Sequence, residues 1–136
     1  MRERSENLEN LSDLESLIID TSVLIEYSKV KRLELLDGSN ISFVTLLEFL
    51  RYYKNERTRK RIKALLEDFF KIITLDNDIA LVYCDLYNKL KERGTLIDDA
   101  DLLIASSAIA KNMTLFTLNL KHFERLAKFG LKLWRW

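Results

Sequence analysis

The chain has 136 residues, of which 48% are hydrophobic, and this length favours one domain with a substantial core. A formal net charge of +1 gives no general case for a polyanionic partner, and the lone histidine argues against a histidine-rich metal site. The sequence has no membrane-spanning apolar run and no N-terminal signal core, and its single cysteine cannot form an internal disulfide. We therefore predict a cytoplasmic protein that does not associate with a membrane.

Short apolar runs alternate with helical patterns along the chain, which predicts an α/β fold with a mainly parallel sheet of four to five strands. Residues 1–16 are predicted to be an N-terminal extension, possibly helical by its spaced leucines, and residues 17–136 a single domain. Strands are predicted near 17–20, 41–44, 72–75, 113–117 and 131–134. Helices are predicted near 22–29, 45–54, 57–71, 77–93 and 98–111, with a last one opened by Asn119.

Four side chains with oxygen donors follow predicted strands or open predicted helices: Asp20, Glu48, Asp101 and Asn119. Each has an ordinary explanation in helix capping, and the stretch from Thr45 to Glu48 fits a capping box. In a parallel α/β sheet, however, strand ends and the following helix starts share one edge, where ligands bind. Clustered carboxylates repel one another, and a divalent cation such as Mg²⁺ or Mn²⁺ removes that cost. The set therefore predicts metal-assisted hydrolysis of a phosphodiester.

Four motifs occur in a fixed order: Ile19-Asp20-Thr21-Ser22-Val23-Leu24-Ile25, Thr45-Leu46-Leu47-Glu48, Asp101-Leu102-Leu103-Ile104-Ala105, and Leu115-Phe116-Thr117-Leu118-Asn119 with the following His122-Phe123. Over about residues 17–134 the chain resembles the PIN domain and, more closely, the toxin component of VapBC toxin–antitoxin pairs. This resemblance implies a three-layer α/β/α fold with the sheet in the centre. It also implies a ribonuclease, dependent on Mg²⁺ or Mn²⁺, in which a metal-activated water attacks an RNA phosphodiester in line.

The resemblance also implies roles for individual residues. Asp20, Glu48 and Asp101 are expected to hold the metal and, with Asn119, to form the catalytic set. Asn119 stands where many members carry a fourth acid, and its amide can ligate or orient water without adding charge. Residues expected to orient ligands, substrate or water from nearby positions are Ser22, Thr117 and Asp99.

Basic residues are concentrated in residues 51–63, where Arg57 and Arg59 are candidates for contacts with RNA phosphates. The alternative is a solvated helix face. His122, one turn after Asn119, could face the site but is expected to cap or pack the last helix, and Cys84 is expected to be an inert core residue. The resemblance further implies an RNA substrate, a homodimer, and an antitoxin that inserts a basic segment into the acidic pocket.

Several alternatives fit part of the pattern. A housekeeping PIN nuclease that processes RNA has the same motifs, and a neighbouring gene for a DNA-binding partner would favour the toxin. A haloacid-dehalogenase-like phosphatase needs a second acid where this chain has Ser22, and the remaining residues of a receiver domain cannot be placed. A non-catalytic scaffold that binds RNA or protein is disfavoured, because clustered acids are costly without a cation.

Overall fold

A computed structural model describes residues 11–135, so the first ten residues of the predicted extension lie outside the described range. The strands are β1 (Leu17–Ile19), β2 (Asn40–Ser42), β3 (Lys71–Ile73), β4 (Thr114–Phe116) and β5 (Lys132–Leu133). The α-helices are α1 (Leu11–Ser16), α2 (Thr21–Lys29), α3 (Phe43–Leu50), α4 (Glu56–Phe69), α5 (Asn77–Glu92), α6 (Asp99–Ala110) and α7 (Leu120–Phe123). Two 3₁₀ helices span Leu33–Leu36 and Glu124–Phe129.

The strands form one sheet in the order β3-β2-β1-β4-β5, and all four pairings are parallel. The central strand β1 pairs with β4 from Leu17 opposite Thr114 to Ile19 opposite Phe116. The chain builds β2 and β3 on one side of β1 and then crosses back to build β4 and β5 on the other. The carboxyl ends of β1 and β4 therefore meet at the topological switch point, where open α/β sheets bind ligands.

Helices cover both faces of the sheet, which produces two hydrophobic cores. Because side chains alternate along a strand, Ile18 of β1 packs into one core and Ile19 into the other. Both side chains are fully buried, which explains why β1 is entirely apolar. The predicted α/β fold with three layers and a central parallel sheet is confirmed.

Most predicted elements are present, with ends that shift by one or two residues. The exception is the helix predicted over 45–54, which occupies Phe43–Leu50 because Ser42 caps it. The Oγ of Ser42 accepts a hydrogen bond from the N–H of Val44, and β2 ends at that serine. The prediction of Cys84 as a core residue is wrong, since its side chain is exposed on α5.

The segment just before β1 packs onto the domain. Leu14 of α1 is buried in the same core as Ile19. The side-chain amide of Asn40 donates hydrogen bonds to the carbonyls of Glu15 and Leu17, at 3.0 and 2.7 Å. These bonds attach the end of α1 to the neighbouring strand β2. Across residues 11–135, every helix is too short or too polar to cross a bilayer.

Candidate active site

Asp20 lies at the carboxyl end of β1, beside the end of β4. Its N–H donates a 2.9 Å hydrogen bond to the carbonyl of Phe116, which continues the parallel pairing by one residue. The residue is only 3% exposed. Although Asp20 occupies the N-cap position of α2, its side chain accepts no capping hydrogen bond. The capping explanation therefore fails here, and a buried carboxylate needs other partners.

Two hydroxyl groups supply those partners. The hydroxyls of Ser22 and Thr117 donate to Oδ2 of Asp20, at 2.7 and 2.8 Å. Each hydroxyl oxygen also accepts a backbone N–H, from Leu118 for Ser22 and from Asn119 for Thr117. Because a carboxylate oxygen only accepts, each hydroxyl donates its proton to Asp20 while its own oxygen accepts the backbone N–H. Within the described residues both donated bonds end on Oδ2, which leaves Oδ1 available to a ligand.

Glu48 projects from α3 toward the same end of β1. Its Oε1 accepts a 2.7 Å hydrogen bond from the hydroxyl of Thr21, the residue that follows Asp20. The hydroxyls of Thr21 and Thr45 lie 3.0 Å apart, and Thr45 is fully buried. The alternative explanation of Thr45 to Glu48 as a capping box does not hold, because Ser42 caps α3 and Thr45 lies within the helix. Glu48 instead joins α3 to the start of α2.

Asp101 lies in the first turn of α6 and is the acid that interacts with Asp20. Burial raises the pKa of Asp101, and the negative charge of Asp20 raises it further. The charge and hydrogen bond of His122 oppose this shift, and the charge of Asp98 adds to it. The Nε2 of His122 lies 3.0 Å from Oδ2 of Asp101. We call Asp20 and Asp101 the acidic pair.

The other predicted site residues differ in their placement. Asn119 is exposed at the start of α7, and its side chain does not cap that helix. It lines an open cavity of about 520 Å³ together with His122. Asp99 accepts a 2.7 Å hydrogen bond from the hydroxyl of Tyr83 on α5, whereas the charge acting on Asp101 from its own segment is that of Asp98. The structure thus associates Asn119, but not Asp99, with the surroundings of the acidic pair.

The two candidate RNA-binding arginines are not equivalent. The guanidinium of Arg59 donates to the carbonyls of Tyr53 and Lys54, so it holds the loop before α4. Arg57 lines a separate open cleft at the start of α4, which it shares with Lys60. Arg59 therefore has a structural role in this loop, and Arg57 keeps a side chain available to an external anion.

The donor set suits a hard divalent cation because it consists of carboxylate, hydroxyl and amide oxygens. Among residues 11–135, no three Asp, Glu, His or Cys side chains are gathered into a ready metal cage. The structure brings two of the three predicted ligands together in the acidic pair, and links Glu48 to them through Thr21. Mg²⁺ is commonly bound by one or two carboxylates with several waters, so the acidic pair and the free Oδ1 of Asp20 fit such an ion.

The sequence analysis held a place in the site only as an alternative for His122 and gave Thr21 no role. His122 packs against the ring of Phe123, as expected, and it also contacts Asp101, which is the alternative in which it faces the site. Its position one helical turn after Asn119 is the signal that identifies it. Thr21 lies between two expected site residues, but its bond to Glu48 spans 27 positions and has no local pattern.

Comparisons with known proteins agree with this fold. Residues 17–129 match the model of the PIN domain family. The chain is 47% identical over 118 residues to Ribonuclease VapC1 of Methanocaldococcus jannaschii, with 87% of this chain and 86% of the relative covered. The chain therefore belongs to the PIN-domain family. The predicted resemblance to VapC proteins is confirmed by this relative, which is itself a VapC ribonuclease.

Two solved structures named VapBC have the same fold. VapBC-1 from nontypeable Haemophilus influenzae matches with a TM-score of 0.73 and 28% identity, covering 88% of this chain and 97% of that chain. VapBC2 from Rickettsia felis, solved with a DNA fragment from its promoter, matches with a TM-score of 0.71 and 29% identity. That match covers 88% of this chain and 98% of the other. Both comparisons extend over nearly the whole of the matched chains.

Proposed function

We propose that this protein is a metal-dependent ribonuclease that hydrolyses RNA phosphodiester bonds at the acidic pair, and that it is the toxin of a toxin–antitoxin pair. The observation that carries the proposal is the buried carboxylate of Asp20, held by Ser22 and Thr117 beside Asp101 at the switch point of the sheet. Keeping two acids together costs free energy, which binding of a cation offsets. The relationship to VapC ribonucleases supports the same conclusion.

Asp20 and Asp101 are the residues that would hold Mg²⁺ or Mn²⁺, with Glu48 close to them. When bound, such an ion supplies charge stabilisation at the scissile phosphate and lowers the pKa of a water. Ser22 and Thr117 fix the rotamer of Asp20, so that its Oδ1 stays directed to the ligand. Thr21 holds Glu48 in place, where it would orient the attacking water, and the amide of Asn119 would contact the substrate from the neighbouring end of β4.

The proposed partners follow from the same relationships. We expect a cognate antitoxin to cover the acidic pair with a basic segment, since Arg and Lys pair well with carboxylates. The solved VapBC structures support such a partner. A homodimer and a cytoplasmic location stay predictions. They are tested by the mass of the purified protein in solution and by fractionation of cells that produce it.

The experiment that tests the function is cleavage of a labelled RNA pool by the purified chain with Mg²⁺, with Mn²⁺ or with EDTA. Asp20→Asn removes the charge that the site needs. Asp37→Asn is the matched control, because Asp37 is exposed just before β2, at the opposite edge of the sheet. We expect metal-dependent cutting by wild type and Asp37→Asn only.

Contaminating nuclease is the main source of error, and it would cut equally in every preparation. Equal cutting by Asp20→Asn, at matched purity and with a normal circular dichroism spectrum, would refute the proposal. The toxin assignment is tested separately by inducing each protein in cells. Wild type should arrest growth, and Asp20→Asn should not. A neighbouring gene whose product relieves that arrest would identify the antitoxin.

A further inference from the structure

The cavity beside Asn119 has a cationic wall. Lys121 of α7 and Arg125 of the following 3₁₀ helix both line it, together with His122. Both side chains are exposed, and both border the same cavity although they lie in successive helices. The cavity is therefore open to solvent and carries two full positive charges.

Neither cation has an acidic partner among the described residues. Glu124, the acid next to Arg125 in sequence, pairs instead with Arg135 at 3.1 Å. In contrast, Lys60 on α4 is paired with Glu56. Lys121 and Arg125 are thus free to bind an anion that the chain itself does not provide.

His122 connects this cavity to the acidic pair. Its ring lines the cavity, and its Nε2 lies 3.0 Å from the carboxylate of Asp101. A phosphate placed at the acids is repelled by them, and cations beside the site weaken the net repulsion of the strand by binding its neighbouring phosphates. The side chain of His122 lies between the two cations and Asp101. This arrangement suits a strand that places one phosphate at the acids and the next phosphates at the cations.

We propose that Lys121 and Arg125 form a binding subsite for the RNA backbone, next to the phosphate that is cleaved. This inference rests on the proposed ribonuclease function and adds the surface that positions its substrate. It differs from the sequence-based prediction, which placed phosphate contacts on Arg57 and Arg59. The guanidinium of Arg59 is occupied by backbone carbonyls, and no described contact joins Arg57 to the acids.

The test measures binding separately from cleavage. The full chain carrying Asp20→Asn is titrated with a fluorescein-labelled single-stranded RNA of twelve nucleotides, by anisotropy, at several NaCl concentrations. Lys121→Gln with Arg125→Gln is added to this background. The matched control is Lys71→Gln with Arg32→Gln, because Lys71 starts β3 at the opposite edge of the sheet and both side chains are exposed.

Each phosphate contact on a single strand adds about 0.7 to the slope of log affinity against log salt, so the double change should lower the slope by about 1.4. At 0.1 M NaCl this corresponds to a loss of affinity of about 25-fold. The control pair should keep the slope and the affinity of the Asp20→Asn parent. An unchanged slope in the Lys121 and Arg125 variant would overturn the subsite. So would a parent that does not bind RNA at low salt.

The same variants separate the two proposals. If wild type fails to cut RNA but the double change still weakens binding, the ribonuclease function falls and the subsite survives. If wild type cuts and the double change leaves binding unaltered, the function stands and the subsite is wrong. The second result would assign the cations to an acidic protein segment instead.

Discussion

Replacing Thr117 with Val tests whether the hydroxyl groups around Asp20 prepare the site for its ligand. Thr117 is fully buried, and valine has nearly the same shape, so the change removes one polar group without opening a cavity. The lost group donates at 2.8 Å to Oδ2 of Asp20 and accepts at 2.9 Å from the N–H of Asn119. Asp20 then keeps only the hydrogen bond from Ser22 among the two hydroxyls that hold it.

The magnitude follows from the charge of the acceptor. A hydrogen bond to a charged group contributes about 1.5–3 kcal/mol, which corresponds to about 10- to 100-fold in an equilibrium constant. Mutation of a residue that orients a metal ligand typically lowers metal affinity or activity by a similar factor, about 10- to 100-fold. We therefore expect Thr117→Val to weaken Mn²⁺ binding and slow RNA cleavage within that range. The melting temperature should fall by about 5–10 °C for a chain of this size.

Isothermal titration with Mn²⁺ and initial rates of RNA cleavage measure the two effects. Thr117→Ser restores the hydroxyl and should recover most of the metal affinity. Thr114→Val is the control for the chemical change, because Thr114 begins the same strand at the opposite end. Wild-type metal affinity and cleavage in Thr117→Val would refute the idea that this hydroxyl positions Asp20.

Two further predictions concern neighbouring acids. Burial and the charge of Asp20 raise the pKa of Asp101, so the folded state holds this proton more tightly than the unfolded state and ionisation destabilises the fold. Asp101→Asn should therefore abolish cleavage yet raise the melting temperature at pH 7 in EDTA by a few degrees. At acid pH, where Asp101 is protonated, this gain in melting temperature should be lost. A lower melting temperature at pH 7 would contradict the prediction. The hydrogen bond to Asp99, with burial, raises the pKa of Tyr83 to about 12. Asp99→Asn should lower the pKa of Tyr83 toward 10 in a carbon-13 tyrosine NMR titration, since a hydrogen bond to an uncharged amide lacks the charged contribution. Cleavage should stay within about twofold of wild type. A large loss of cleavage would return Asp99 to the site.

The parts of the fold that the sequence predicts well are those set by local pattern. Leu17, Ile18 and Ile19 are all apolar because β1 is buried on both faces, and this leaves a strand as the direct interpretation. The position of Asp20 follows, since a carboxylate that ends such a strand lies at the sheet edge. Resemblance to a known family then predicted Ser22 and Thr117 near the site, and both contact Asp20.

The parts that the sequence misses depend on contacts across long separations. Ser42 and Thr45 both precede Glu48, and either could cap its helix. The sequence pattern does not show that Ser42 caps α3 or that Thr45 contacts Thr21 instead. The spacing after Asn119 allows His122 to face the site, but its contact with Asp101 spans 21 positions and joins two helices. Such pairs are fixed by how α2, α3, α6 and α7 pack around the sheet edge, which residue spacing within one helix does not determine.

The hydrogen bonds around the acids explain how the chain keeps these carboxylates at one edge of the sheet. A carboxylate as buried as Asp20 is costly unless it is hydrogen-bonded, and Ser22 and Thr117 meet that need. Thr21 does the same for Glu48. These bonds fix where the carboxylates lie, but they leave the repulsion between Asp20 and Asp101 in place. The remaining repulsion favours a cation, or a basic side chain of a partner, because only a positive charge removes it.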